Sequence, residues 1–156
     1  PEVLEKVPDA HFYLGGDGDI EQSQKIINEN KLQDHIELLG WVRNEKKEGY
    51  LKKCSTFILP SYHEGMPMSV LEAMSYGLAT ISTNAGGIPQ IISQGIDGYR
   101  VKAGDLEKLK QILVYVLSNE EEKRQLGIAA RNVIEKKFNA VRNVDRLWNL
   151  YKKLEV

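Results

Sequence analysis

The chain has 156 residues, a formal net charge of −1, 42% hydrophobic residues and 28% charged residues. That length and balance fit one soluble globular domain with a sizeable core, and they exclude a strong overall attraction to nucleic acid or an anionic surface. The single cysteine, Cys54, excludes an intrachain disulfide framework and a cysteine-based zinc site, and no apolar run approaches the roughly 18 residues of a membrane helix.

In chain order, His11 to Leu14 is a short apolar run that stops in Gly15-Gly16-Asp17-Gly18-Asp19. This pattern predicts a strand and a loop, followed by a helix from Ile20 to Asn30. Ile36 to Leu39 predicts a second strand, closed by Gly40-Trp41. Asn44 is placed to cap a helix that runs to Lys53. Thr56 to Leu59 predicts a third strand, closed by Pro60-Ser61. A helix is expected from Pro67 to Tyr76, with Gly77 ending it. Ala79 to Ser82 predicts a fourth strand, and Ile88 to Ser93 a short helix. Gly98 to Val101 predicts a fifth strand. Helices are then expected over Leu106–Leu117, Glu120–Lys136 and Val141–Leu154. Short strands alternating with helices imply an α/β fold: a Rossmann-like parallel sheet covered on both faces, with C-terminal helices. No linker or repeat divides residues 1–156, which read as one domain. The lone cysteine suits a reducing, cytoplasmic setting. No signal peptide is visible, and a start at Pro1 reads as a fragment.

Ligands of open parallel sheets sit beyond the carboxyl ends of the strands. Four loops fall at such ends: Gly15–Asp19, Gly40–Arg43, Pro60–Pro67 and Thr83–Gly87. The third is the most informative. Glu64 and Glu72 are eight positions apart, but Pro67 suits a first helical turn, so Glu64 sits in the loop and Glu72 in the helix. Glu72 then lies roughly 7 Å along the axis from the helix start. Between them, the backbone N–H groups of Met68, Ser69 and Val70 open the helix and make an anion site. Carboxylate, anion site and second carboxylate match the order of sugar hydroxyls, diphosphate and ribose hydroxyls in a nucleotide sugar. Two unrelated glutamates of an ordinary α/β domain give the same spacing.

The other features are weaker alone. Gly15-Gly16-Asp17-Gly18 lets backbone approach a phosphate, yet it is neither G-x-G-x-x-G nor a Walker loop, and on its own it reads more readily as a tight turn. Asn84-Ala85-Gly86-Gly87-Ile88-Pro89 is either a turn or a source of backbone donors to a ligand. His63 adjoins Glu64, whereas His11 and His35 border strands and read as structural. No G-x-S-x-G elbow and no metal-ligand spacing is present. Trp41 follows a strand end, where a base would lie. Trp148, with Val144, Leu147 and Tyr151, reads as the apolar face of the last helix. Lys136-Lys137 and Lys152-Lys153 read as solvated faces, with membrane headgroups as the minority alternative.

Together, Leu14-Gly-Gly-Asp-Gly18, Leu39-Gly-Trp-Val42, Leu59-Pro-Ser61, Glu64-Gly-Met-Pro67, Leu71-Glu-Ala-Met74, Gly86-Gly-Ile-Pro89 and Gly95-Ile-Asp-Gly98 resemble the retaining glycosyltransferases of GT-B fold, the glycosyl transferases group 1 type. The resemblance covers nearly the whole chain and centres on the E-x7-E signature. It implies the C-terminal, donor-binding domain of an enzyme that moves a sugar from a nucleotide sugar to a glycan, lipid or other acceptor with retained anomeric configuration.

By the same resemblance Glu64 is the catalytic-site glutamate that binds donor-sugar hydroxyls near the reacting carbon, and Glu72 binds the ribose. Gly65, Met66, Pro67 and Met68 line the sugar and diphosphate, with Ser69 and Val70 at the helix start. Gly16 faces the diphosphate, and Trp41 and Val42 lie beside the base; His63 is counted with the donor site on its adjacency to Glu64 alone. No metal and no cofactor beyond the sugar nucleotide is implied, and no nucleic-acid partner. The acceptor would be held by an N-terminal domain, and peripheral contact with the inner face of the membrane is a further expectation.

Two departures are visible. Gln90 stands where the family often has glutamate, and the family's first strand, with its diphosphate-neutralising Arg/Lys pair, does not precede Pro8. The chain on its own is therefore expected not to turn over. An epimerase or phosphorylase half of the same architecture and a non-catalytic assembly domain are the alternatives.

Overall fold

The structure, a computed structural model, describes residues 1–154. Its elements are β1 (Phe12–Gly15), α1 (Ile20–Glu29), β2 (Ile36–Gly40), α2 (Asn44–Lys53), β3 (Thr56–Leu59), α3 (Met68–Ser75), β4 (Ala79–Thr83), α4 (Ile88–Ile91), β5 (Tyr99–Val101), α5 (Leu106–Ser118), α6 (Glu120–Lys137) and α7 (Ala140–Leu154). Each lies within a residue or two of the bounds expected from the sequence. The local causes are visible in the caps. The Asp19 carboxylate accepts from the Gln22 N–H at 2.9 Å, and Asp105 accepts from the Lys108 N–H at 3.0 Å. Helix α6 opens on Glu120, Glu121 and Glu122 and closes on Lys136 and Lys137, with the helix dipole.

One cap differs from expectation. Arg43, not Asn44, occupies the N-cap of α2, and no side chain bonds the helix start. Asn44 instead enters the helix at φ 49°, a region that asparagine tolerates.

All strand pairings are parallel, but the sheet is in two pieces. β1 pairs β2, and β3, β4 and β5 form a second ladder with β4 central. The strand pattern establishes element type and direction, whereas edge pairing depends on tertiary placement. Phe12 of β1 and Ile58 of β3 nevertheless pack against one apolar cluster.

The core centres on β4, whose five residues are all buried. Ala79 and Ile81 join Val101, Ile112, Val116 and Leu126 on one face. Val70, Met74, Ile88, Ile91, Ile92 and Ala130 form a second cluster, joined by Phe57 and Leu59 of β3. The β4 hydroxyls are buried without being orphaned. Ser82 donates to the Leu59 carbonyl and Thr83 to the Ser61 carbonyl, both at 2.7 Å, which fixes the end of β3 beside the end of β4. Helix α6 presses closely on the end of α3: a methyl group at Gly127 would overlap the Gly77 carbonyl oxygen.

The apolar stripe of α7 forms as read, but Val144, Leu147, Trp148 and Tyr151 are all exposed. Within the described residues the stripe covers no core.

Candidate functional site

The loop after β3 and the start of α3 form the centre of the site. Pro67 occupies the N-cap of α3 in extended conformation, at φ −72° and ψ 108°, and contributes no side-chain cap. Its fixed φ and missing N–H stop the helix there, which leaves Glu64 in the loop and Glu72 in the second turn, the placement the sequence implied. Glu64 is half-buried, and no side-chain partner reaches its carboxylate among the described residues.

The backbone around Glu64 is held from the far side by the loop after β4. The Gly87 N–H donates to the Gly65 carbonyl at 2.7 Å. Gly86 takes φ 51°, and a Cβ there would overlap the Glu64 carbonyl oxygen. Only glycine satisfies both the left-handed backbone and the close approach. The second glycine loop is thus a clamp on Glu64 and Gly65, and the Gly87 donor is already engaged.

The helix start offers less than the sequence suggested. The Val70 N–H bonds back to the Pro67 carbonyl at 3.2 Å, and its side chain is fully buried in the second core cluster. Met68 and Ser69 remain as the outward N–H groups of the first turn. The stripe Val70, Ala73, Met74 at i, i+3, i+4 was the available signal that Val70 faces inward. Pro67 is buried as well, whereas Met66 and Met68 are exposed. His63 is exposed and has no hydrogen-bond partner among the described residues.

The second carboxylate is already paired. Lys47 of α2 reaches both oxygens of Glu72, at 2.7 and 2.9 Å. The two side chains are 42% and 37% exposed, so the pair contributes about 0–1 kcal/mol to folding. A carboxylate has about four lone-pair sites, so two bonds from Lys47 leave room for hydroxyl donors. Nothing in the sequence pointed to Lys47. Its partner is 25 positions away, and α2 has no apolar face to orient it.

Trp41 and Val42 follow β2. Trp41 is 58% exposed, and the Arg43 guanidinium stacks on it at 5.0 Å. Val42 packs close to Gly15, where an added Cβ would lie 3.1 Å from its Cγ2. Gly16, at φ 153°, donates its N–H to the Gly40 carbonyl at 2.8 Å, so that donor extends the β1–β2 pairing.

Away from the site, His35 Nδ1 lies 3.1 Å from the Ala10 carbonyl oxygen, and its ring meets that of the exposed His11 at a tilt, with centroids 5.5 Å apart. Burial pushes the half-buried Cys54 thiol up, which leaves it a poor nucleophile. Among the described residues, no group of three or more His, Cys, Asp or Glu side chains is arranged to hold a metal ion. No helix there is long and apolar enough to cross a membrane.

Two surface depressions lie elsewhere, one along α1 beside Ile20, Gln24 and Asn28, the other near His11 and Gln33. Glu64, in its loop, and Glu72, in α3, are both half-buried, so each carboxylate retains access to solvent.

The chain is 33% identical over 147 residues to the Escherichia coli UDP-Gal:alpha-D-GlcNAc-diphosphoundecaprenol alpha-1,3-galactosyltransferase, covering 93% of this chain and 37% of that protein. It is 33% identical over 135 residues to the amylovoran biosynthesis glycosyltransferase AmsK of Erwinia amylovora, covering 82% of this chain and 33% of that one. It therefore spans about a third of the length of these curated relatives. Anabaena HepE, crystallised with UDP, superposes with a TM-score of 0.85 at 16% identity, over 97% of this chain and 44% of that one. Its likeness establishes the α/β architecture of a GT-B domain. Residues 1–133 match the glycosyl transferases group 1 family, and the chain belongs to that family.

Proposed function

We propose that the chain is the donor-binding domain of a retaining glycosyltransferase that takes its sugar from a uridine nucleotide sugar. The observation that carries this reading is the clamped Glu64–Gly65 backbone. It presents a carboxylate without a side-chain partner among the described residues just ahead of the α3 start, with Glu72 one helical turn beyond. Glu64 accepts hydrogen bonds from donor-sugar hydroxyls. The Met68 and Ser69 N–H groups, with the helix dipole behind them, stabilise the charge that grows on the diphosphate as the sugar–phosphate bond breaks. Glu72 accepts from the ribose hydroxyls. Trp41 and Val42 lie on the base side.

The choice of uridine is supported by the UDP bound to HepE and the UDP-Gal named for the Escherichia coli relative. That relative's diphosphoundecaprenol acceptor also supports a glycan or lipid-linked acceptor, bound by parts of the intact protein outside this chain, and an enzyme working at the inner membrane face. By itself this chain supplies the donor side only.

The test is acceptor-dependent UDP release by the intact protein, with UDP-galactose, UDP-glucose and UDP-N-acetylglucosamine as donors. Glu64→Gln should lower the rate about 100-fold or more, the usual scale for a donor-site electrostatic contact. A variant with the full wild-type rate would remove Glu64 from the mechanism.

A further inference from the structure

Lys47 lies on α2, which connects β2 of one ladder to β3 of the other. Helix α2 buries none of its own residues and has no side-chain cap at its start. It nonetheless places one ammonium on both oxygens of Glu72, across a gap of 25 positions. A glutamate side chain on a helix surface samples several rotamers. A contact to both oxygens fixes the direction in which the carboxylate points and leaves the outer lone pairs on the side away from Lys47.

We propose that Lys47 is a positioning residue for the nucleoside end of the donor, holding Glu72 so that the site selects a ribose over a 2′-deoxyribose. The inference rests on the assignment of Glu72 to the ribose hydroxyls. A ribose presents vicinal 2′ and 3′ hydroxyls to the two oriented lone pairs, whereas a 2′-deoxyribose satisfies only one. With Lys47 gone, the carboxylate turns freely, and its advantage for the second hydroxyl is lost. Selectivity should therefore depend on Lys47 through its hold on Glu72.

The experiment is calorimetric titration of the intact protein with UDP, ADP and GDP, then with the 2′-deoxy counterpart of whichever binds. Wild type should prefer the ribonucleotide by about tenfold, the equivalent of one charge-assisted hydrogen bond. Lys47→Met should weaken ribonucleotide binding by about that factor and bring the ribo/deoxy ratio close to one. Lys47→Arg should keep most of the preference. In turnover, Lys47→Met should raise the donor KM and leave kcat within about twofold, because uniform binding is lost and not transition-state binding.

Loss of affinity for both sugars by the same factor, with the ratio unchanged, would overturn the role given to Lys47 and leave the proposed function standing. A wild-type protein that bound none of the nucleotides would overturn both.

Discussion

β4 and α3 on one side, and β2 and α2 on the other, both end at the candidate site, yet they are built differently. Every residue of β4 is buried, and α3 buries Val70, Ala73 and Met74. The loop carrying Glu64 therefore stands on a packed floor and is clamped by Gly86 and Gly87. On the other side, α2 buries no residue, and Trp41 stands exposed with Arg43 stacked on it. The difference teaches a division of labour. The end of the site assigned to sugar and diphosphate is fixed by core packing, while the end assigned to the nucleoside is held by a few polar contacts, Lys47–Glu72 foremost. Under the proposed function, rigidity at the first end would suit the reacting centre, and the second end would depend on the Lys47–Glu72 contact.

Substitutions on the two sides should separate stability from binding. The largest effects belong to the rigid side. Gly127→Ala would gain about 1 kcal/mol in an unobstructed helix. Here the methyl meets the Gly77 carbonyl, and the variant should lose about 2–3 kcal/mol in urea denaturation. Gly86→Ala, strained at φ 51° and overlapping the Glu64 carbonyl, should cost a similar amount and displace Glu64. A neutral result for both would erase the contrast between the sides.

On the other side, Trp41→Ala should change stability by less than about 0.5 kcal/mol. It should weaken nucleotide binding about tenfold, the lower range for aromatic stacking on a base. An unchanged dissociation constant in the same calorimetric titration would take Trp41 out of the site.

Much of this was legible in the sequence. Strand and helix positions follow from apolar runs that end in glycine, and the split of Glu64 from Glu72 follows from Pro67. What was not legible depends on contacts between distant segments. The Gly86-Gly87 loop looks like a source of ligand donors until Gly65 is seen to take the Gly87 N–H. Lys47 lies in a helix rich in lysine and glutamate, and only the fold selects it. The α7 stripe was readable from its spacing, but spacing does not say what packs against it. The division of the sheet into two ladders was equally out of reach, because strand patterns carry no record of their neighbours.

A smaller effect tests the rigid side through pH. Burial, and next the 2.8 Å hydrogen bond to Glu122, push the Tyr99 hydroxyl up to about 12 from 10.0. The folded chain thus keeps this proton after the unfolded chain has released it. The stabilisation is complete below about pH 10 and declines as pH rises toward about 12. Tyr99→Phe has no such proton, and its stability should fall less steeply over that window in alkaline denaturation. Identical slopes would show that Tyr99 is solvated.

The central claim is that the face built by Glu64, the α3 start and Glu72 binds the donor nucleotide. Its most direct test is a titration of the isotope-labelled intact protein with UDP, followed by amide and indole NMR shifts. The account predicts dose-dependent shifts at Gly65, Met68, Ser69 and Glu72, with the Trp41 indole moving in step. Shifts confined to the depression along α1, at Ile20, Gln24 and Asn28, with those five signals unmoved, would contradict it.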